Sequence, residues 1–209
     1  MPRACSVVAG VMMQVKKPQM ESAIMDVARK LFLEQGFEGV TMRALSGAVG
    51  ITPGNLYVYF RGKDDLYFAV FIERNAVRLE RIFSEMEKGG TARERIERYA
   101  RAYIEWAHDN PREMRFELHY QHKGMGEENL SPSLAERFDL QREPYHRRFC
   151  EVFEQGLANG EFNYDMPTGR VISYFTFTLR TMLNEVVVLK YYDDDFYFNW
   201  VHFFLDAIT

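Results

Sequence analysis

The stretch FEGVTMRALSGAVGITPGNLYVYFRGKDDL, residues 37–66, decides the fold. Thr41 and Thr52 are good N-caps, because a threonine hydroxyl accepts a hydrogen bond from the first turn of a helix. Gly50 suits the left-handed position that ends a helix. Pro53 suits the first position of the next helix, where a missing N–H does no harm. The stretch therefore predicts two short helices joined by a tight turn, which is a helix-turn-helix.

The remaining pattern is helical too, and it predicts an all-α fold. Residues 19–35 place Ile24, Ala28 and Leu31 on one face of a helix that packs across the helix-turn-helix. Gly36 is expected to end this helix. Further helices are predicted over residues 63–88, 92–109, 112–122, 131–158, 167–192 and 194–208, with Pro144 kinking or splitting the longest of them.

The composition limits what kind of protein this is. The chain has 209 residues, 47% of them apolar, which suits a sizeable core. Its net charge of −4 is unlike that of a generic nucleic-acid binder, so any positive charge toward DNA must be local. Cys5 and Cys150 give no disulfide framework and no metal quartet, which favours a reduced, cytoplasmic protein. No apolar run reaches the roughly 18 residues of a membrane helix, so we expect no membrane partner.

The N-terminus is weakly informative. Residues 1–18 are expected to be a disordered leader, or to precede a true start at Met12, Met13 or Met20. Their match to a signal peptide is poor, because the apolar run is short and no clear cleavage pattern follows.

The second helix of the motif carries side chains that can meet DNA. Gly54 lets the backbone approach a duplex closely, and Asn55 can bond both edge groups of adenine. Tyr57 and Tyr59 offer hydroxyls to phosphates and ring faces to thymine methyls. Lys63 can reach a flanking phosphate, which positions a protein but does not specify sequence. The predicted DNA-binding residues are Thr41, Arg43, Thr52, Pro53, Gly54, Asn55, Tyr57, Val58, Tyr59 and Lys63.

These residues resemble the DNA-binding domain of the TetR family of transcriptional regulators. In that family a threonine opens the second helix and a glycine ends it, the third helix carries Leu-Tyr-x-Tyr-Phe, and a lysine follows three residues later. Val58 stands where many members have a phosphate-binding histidine, and Arg43 or Arg61 can replace the lost charge. The match spans residues 19–66. The matching residues are Thr41, Gly50, Leu56, Tyr57, Tyr59, Phe60 and Lys63.

The resemblance implies a DNA-binding domain over residues 19–66 and a helical ligand-binding and dimerisation domain over residues 67–209. The very apolar segments 170–192 and 194–209 can form a two-fold four-helix interface between subunits, or can pack within one subunit. Aromatic residues recur in the middle helices and can line a pocket for an apolar or aromatic effector of weak charge. The predicted ligand-binding residues are Tyr103, Trp106, Phe116, Tyr120, Phe149, Phe153, Tyr174 and Phe177.

No metal, cofactor or catalytic site is predicted. His119 and His122 lie three residues apart near Glu117, but no further ligand is evident. Phosphate loops and nucleophile elbows are missing from the sequence. The resemblance implies a homodimeric repressor that binds a palindromic double-stranded DNA operator and leaves it when a small hydrophobic effector binds. The alternatives are a small-molecule binding protein with a lapsed DNA-binding domain, which the acidic charge and Val58 motivate, and, less favoured, an enzyme.

Overall fold

The computed structural model describes residues 18–122, 131–188 and 194–209, without the side chains of residues 120–122, 184–188 and 194. Over these ranges the chain forms nine α-helices and no strand, so the all-α prediction is confirmed. The predicted leader, residues 1–18, lies outside the described residues except for Pro18, which begins the first helix. The helices are α1 Pro18–Gly39, α2 Met42–Val49, α3 Pro53–Tyr59, α4 Lys63–Met86, α5 Ala92–Asp109, α6 Pro111–His122, α7 Pro132–Ala158, α8 Thr168–Val188 and α9 Asp194–Asp206.

Helix α1 is longer than predicted. Gly36 has a left-handed φ of 71°, a conformation that glycine adopts without steric cost. The chain then resumes a helical turn that runs to Gly39. Phe37 is buried, and its ring centroid lies 6.0 Å from that of Phe32. Gly36 therefore ends the regular first part of α1, as predicted, and the short helical turn after it returns Phe37 to the core.

Helix α7 runs continuously through Pro144, so the proline does not split it, and the alternative prediction of a kink remains a prediction. A proline inside a helix leaves the carbonyl four residues earlier without a donor. That carbonyl belongs to Leu140, which is 69% exposed, and Pro144 is exposed as well. Because both residues face solvent, water can hydrate the carbonyl and the helix continues.

Two hydrophobic cores are stacked along α4. The N-terminal core joins α1, α2, α3 and the first half of α4, with Phe116 of α6 and Leu134 of α7 added to it. The C-terminal core joins the second half of α4 to α5 through α9 and is rich in rings, with Phe83 lying 5.2 Å from Tyr99 and 5.0 Å from Phe149. Since α4 belongs to both cores, the predicted domain boundary at residues 66–67 falls within a continuous helix.

The N-terminal core is tied to α6 by Tyr67. Its ring stacks on that of Phe116 at 4.1 Å, and its hydroxyl donates a 2.7 Å hydrogen bond to the Phe116 carbonyl. Burial raises the pKa of Tyr67 far above that of a free phenol. The hydroxyl therefore remains a neutral donor at all physiological pH values.

A buried polar layer separates the two cores on α4. Phe71 and Ile72 belong to the N-terminal core, and Ile82 begins the C-terminal core. Between them Asn75 and Arg78 face inward, 9% and 8% exposed. Buried polar groups need partners, because burying one without a hydrogen bond is costly. This polar layer is described below.

Candidate nucleic-acid interface

The turn between α2 and α3 is closed by backbone hydrogen bonds. Gly50 has φ 79°, and its N–H donates to the Gly47 carbonyl at 3.2 Å. The N–H of Ile51 donates to the Ser46 carbonyl at 3.0 Å. This pair of bonds is the Schellman arrangement, in which glycine supplies the left-handed residue. The predicted turn is confirmed, and it fixes the angle at which α3 leaves α2.

Threonine hydroxyls cap both helices, as predicted. Thr41 Oγ1 accepts a hydrogen bond from the N–H of Ala44 at 3.1 Å. Thr52 Oγ1 accepts one from the N–H of Asn55 at 3.2 Å. Each hydroxyl keeps its own hydrogen, so it can still donate to a phosphate. Contact of these residues with DNA remains a prediction.

Helix α3 has one buried and one exposed face. Leu56 is fully buried in the N-terminal core, and Tyr59 is half-buried against that core. On the other side Gly54 and Asn55 are exposed, and Tyr57 is 53% exposed. The asparagine side chain and one phenol therefore face solvent together on a helix whose opposite face is anchored. Of the other predicted residues, Pro53 is exposed at the first position of α3, Val58 is half-buried, and Arg43 is exposed on α2.

Lys63 has a structural role that the sequence did not reveal. Its ammonium donates a 2.8 Å hydrogen bond to the Phe37 carbonyl and lies 4.1 Å from the centroid of the Phe37 ring. It also lies 4.0 Å from a carboxylate oxygen of Glu38. Lys63 thus joins the start of α4 to the end of α1. An ammonium has three donors, so the predicted phosphate contact remains a prediction.

The segment that carries α2 and α3 has a positive net charge. Residues 39–63 contain Arg43, Arg61 and Lys63 and no acidic residue, although the whole chain carries a net charge of −4. A local excess of this kind is what an acidic protein needs to approach a polyanion. The first carboxylates after α3 are those of residues 64 and 65, and the second of them is directed inward.

Asp65 links the segment that follows α3 to the start of α7. Its buried carboxylate accepts hydrogen bonds from the backbone N–H and the Nε of Arg61, at 3.1 and 3.2 Å. Its other oxygen accepts the N–H of Ser131, just before α7, at 3.1 Å. One carboxylate thus holds the segment after the candidate DNA-binding helix and the start of a helix from the C-terminal half.

The predicted ligand-binding residues are scattered. Tyr103 is buried and Trp106 half-buried beside the polar layer of α4, while Phe116 belongs to the N-terminal core. Phe149 and Phe153 are buried among the rings of the C-terminal core. Tyr120 is also among the predicted ligand-binding residues, but its side chain lies outside the described residues.

Tyr174 and Phe177 lie at the surface of this chain, and their contact with a ligand remains a prediction. They are 55% and 70% exposed on the outer face of α8, so they do not line an internal cavity of one chain. The reason is the helical period, since Phe175 and Leu179 turn toward the core and leave the other face of α8 to solvent.

The polar layer on α4 was missed by sequence reasoning. Arg78 pairs with the carboxylate of Glu117 on α6 and bonds the amide oxygen of Asn75. Tyr103 of α5 donates to Glu117 at 3.0 Å, and Asn75 donates to Gln141 of α7 at 3.2 Å. The sequence does contain a sign of this layer, namely polar residues at core positions. Asn75 and Arg78 continue the alternating spacing of four and three residues that marks the buried face of α4.

Metal and membrane features are not found in the described part of the chain. Among those residues, no group of three or more His, Cys, Asp or Glu side chains is placed to hold a metal ion. The side chain of His122, a weak candidate for a metal ligand in the sequence, lies outside the described residues. The helices within the described ranges are all too short or too polar to cross a bilayer.

Known proteins match the chain in sequence and in fold. The fatty acid metabolism regulator protein of Bacillus subtilis is 26% identical over 84 residues, 40% of this chain and 43% of that protein. The HTH-type transcriptional repressor Rv1474c of Mycobacterium tuberculosis is 43% identical over 47 residues, 22% of this chain and 25% of that protein. The chain therefore matches less than half the length of these curated relatives.

Solved structures extend the match to almost the whole fold. A bacterial regulatory protein of the tetR family from Rhodococcus RHA1 has a TM-score of 0.64 at 19% identity, covering 92% of this chain and 98% of that one. FadR from Bacillus subtilis, solved in complex with stearoyl-CoA, has a TM-score of 0.63 at 16% identity, covering 89% and 96%.

Family models cover both halves of the molecule. Residues 24–70 match the model described as bacterial regulatory proteins, tetR family. Residues 89–187 match the model described as tetracyclin repressor-like, C-terminal domain. These two ranges contain the helix-turn-helix and most of the C-terminal core. The chain belongs to the TetR family of bacterial regulatory proteins.

Proposed function

We propose that this protein is a ligand-responsive transcriptional repressor that binds a palindromic DNA operator as a homodimer and is released by a small apolar effector. The observation that carries the proposal is the exposed edge of α3, where Gly54, Asn55 and Tyr57 face solvent and Leu56 anchors the helix from behind. A recognition helix needs this division, since its outer side chains meet base edges in the major groove.

DNA contact divides between bases and phosphates. Asn55 reads a base, since an asparagine amide matches the donor and acceptor of adenine. Tyr57, Arg43 and the N-terminal N–H groups of α2 and α3 bind phosphates and set the register. The absence of acidic residues between positions 39 and 63 supports this arrangement.

The exposed rings of α8 and α9 support dimerisation. Tyr174 and Phe177 on α8, and Phe196 and Phe203 on α9, are between 48% and 72% exposed. Apolar residues concentrated on two neighbouring helices are typical of a protein–protein interface. A second copy is the natural partner, because a two-fold dimer places two recognition helices about 34–36 Å apart on successive major grooves.

The names of similar proteins support repression and the binding of an effector. Rv1474c is named a repressor, and the structural neighbour FadR from Bacillus subtilis was solved in complex with stearoyl-CoA. In this chain the effector acts on α4, which carries both cores. Binding of the effector and of the operator then oppose each other by the same factor, as linkage requires.

Selection of operator DNA tests the proposal. Purified protein is used to enrich binding sequences from a randomised duplex library, and gel shifts measure their affinity at fixed salt. Asn55→Ala is expected to weaken specific binding by about 5- to 150-fold, corresponding to about 1–3 kcal/mol for one good bidentate base contact. Asn163→Ala is the control, because Asn163 is exposed and bonded to Ile208 only through its backbone.

Two results contradict this function. One is the enrichment of no sequence at moderate salt. The other is equal specific affinity of the Asn55→Ala and Asn163→Ala variants. The second would favour a small-molecule binding protein whose DNA-binding domain has lapsed.

The dimer is tested separately by sedimentation. Phe177→Asp places a charge on the proposed interface and is expected to shift the protein to monomers. Leu140→Asp is the matched control, since Leu140 is 69% exposed on α7, outside the proposed face. Identical association of the two variants would exclude this face of α8 from the interface.

A further inference from the structure

A cavity of about 190 Å³ lies between α4, α5, α7 and α8. At about 30 Å³ per water molecule it has the volume of roughly six waters, enough for a single ring or a short chain. The charged residues that line it are Arg78, Arg142 and Arg180, and no carboxylate lines it among the described residues. Its ring-bearing walls are Phe71, Tyr99, Tyr103 and Phe138.

Arg78 is the innermost of the three arginines. Its side chain is 8% exposed, and its guanidinium carbon lies 5.1 Å from the ring centroids of both Tyr103 and Trp106. It pairs with Glu117 and Asn75, but its Nε has no hydrogen-bond partner among the described residues. A buried guanidinium with an unused donor is costly unless another acceptor is supplied.

Arg78 also lines a second cavity, of about 210 Å³, on the side of α6. Glu117 lies at that second cavity, as do Arg74, Arg81 and Glu113. Glu117, the carboxylate that pairs with Arg78, therefore lines the second cavity and not the cavity that Arg180 lines.

Arg180 enters the cavity from α8. It is exposed and makes no hydrogen bond or ion pair with another described residue. Burial and Tyr103 raise the pKa of Tyr99, whereas the charges of Arg78 and Arg180 lower it. The charges of Arg78 and Arg180 therefore both act on the phenol of Tyr99. Arg142 is already bonded to Asp139 at 3.3 Å, so it contributes less.

We propose that the effector is a small apolar carboxylate, bound in this cavity with its carboxylate between Arg78 and Arg180 and its hydrocarbon part against Tyr99 and Tyr103. This inference rests on the proposed function for its regulatory meaning, but the site stands on its own geometry. Guanidinium groups bind carboxylates through paired hydrogen bonds, which are stronger than neutral ones. The aromatic walls accept the apolar part. Under this proposal the effector is an anion, whereas the sequence analysis expects an effector of weak charge.

Binding there competes with the internal pair. A ligand carboxylate on Arg78 replaces part of the charge that Glu117 supplies, and so weakens the link between α4 and α6. The ligand then favours a state in which α4 is freer of α6, which gives it the differential affinity that a switch needs.

Direct binding to the full chain tests the site without DNA. Octanoate and 3-phenylpropionate are the carboxylate probes, octanamide is the neutral match of octanoate, and titration calorimetry gives the affinities. Octanoate is expected to bind at least about tenfold more tightly than octanamide, from the strength of charge-assisted hydrogen bonds. Arg180→Gln is expected to remove most of that difference. Arg170→Gln, an exposed arginine two to three turns earlier on α8, is expected to keep it.

The Glu117→Gln variant tests independently whether Arg78 binds the ligand carboxylate. It removes the competing charge but keeps the shape, so octanoate is expected to bind several-fold more tightly, while octanamide is unchanged. Thermal unfolding by circular dichroism establishes that each variant is folded.

Several outcomes overturn the proposal. The first is that neither carboxylate binds at millimolar concentration, and the second is that octanoate and octanamide bind with equal affinity. The third is that the Arg180→Gln and Arg170→Gln variants have equal effects. The fourth is that only octanoyl-CoA binds, since its thioester carries no free carboxylate. None of these results affects the operator experiment. A protein that binds selected DNA but not octanoate keeps the proposed function and loses only this site.

Discussion

Replacing Asp65 by asparagine tests the link between the recognition helix and the C-terminal half. The carboxylate accepts three hydrogen bonds, two from Arg61 and one from the N–H of Ser131. An asparagine has one carbonyl oxygen, so its amide NH₂ must face either Arg61 or Ser131, donor against donor. At least one bond is lost whichever way the amide turns.

The magnitude follows from the count. A hydrogen bond to a charged group contributes about 1.5–3 kcal/mol, and Arg61, which is 60% exposed, adds little through its side chain. We therefore expect Asp65→Asn to lower the free energy of unfolding by about 2–3 kcal/mol. For a chain of this size that lowers Tm by roughly 4–12 °C. Urea unfolding followed by circular dichroism at 222 nm measures the change.

Asp64→Asn is the matched control. Asp64 lies in the same first turn of α4, is exposed and makes no side-chain hydrogen bond to another described residue. Its loss removes the same charge from the same helix N-terminus, which is worth about 0.3–1 kcal/mol. The difference between the two variants isolates the buried bonds. Equal stability of the two proteins would refute the reasoning, because Asp65 would then act only as a charge near a helix end.

Three further variants probe packing, capping and buried ionisation. Gly156→Ala places a Cβ 2.2 Å from the ring of Phe162 and is expected to cost about 1–3 kcal/mol in urea unfolding; Gly169→Ala, with nothing within 4 Å, should cost nothing. Thr52→Ala removes the N-cap of α3 and is expected to lower stability by about 1 kcal/mol and to weaken operator binding in gel shifts; full DNA affinity would show that the cap is dispensable. Burial raises the pKa of Tyr67, so its stabilising effect is complete below the pKa of a free phenol, about 10, and is lost as pH rises above it. Urea unfolding between pH 8 and 11 should therefore show a shallower alkaline decline for Tyr67→Phe, and parallel declines would exclude Tyr67 as the cause.

Local chemistry explains why the N-terminal half was predictable. A capping threonine, a turn glycine and a proline at the first helical position each act on residues that are close to them in sequence. Thr41, Gly50 and Pro53 could therefore be assigned from sequence, and they are confirmed in those roles. The bend at Gly36 was half predicted. Its left-handed conformation follows from residue type, but the helical turn after it depends on Phe37 returning to a core built by distant helices.

The buried polar layer shows why the remainder was not predictable. An arginine on a helix is ordinarily solvated, and only the packing of α5, α6 and α7 around α4 turns Arg78 inward. Tyr174 and Phe177 show the opposite case, since they are aromatic residues that the structure leaves exposed. Aromatic residues suggest a core, but a face intended for another subunit looks the same in sequence as a face intended for the interior.

The placement of Asp65 and Arg78 on one helix connects the two halves of the proposal. They are 13 residues apart, which is about 20 Å along α4 at 1.5 Å per residue. Asp65 binds the start of α7 beside the exit of the recognition helix, and Arg78 binds Glu117 on α6 beside the arginine-lined cavity. Because α4 is a single continuous helix, a ligand that weakens its ion pair with α6 changes the restraints on α4, while Asp65 still holds the start of α7 beside the recognition unit. The expected consequence is specific. Asp65→Asn should alter the ability of octanoate to release operator DNA as well as stability, whereas Asp64→Asn should leave the release unchanged and cost only about 0.3–1 kcal/mol, the contribution of a charge near a helix end.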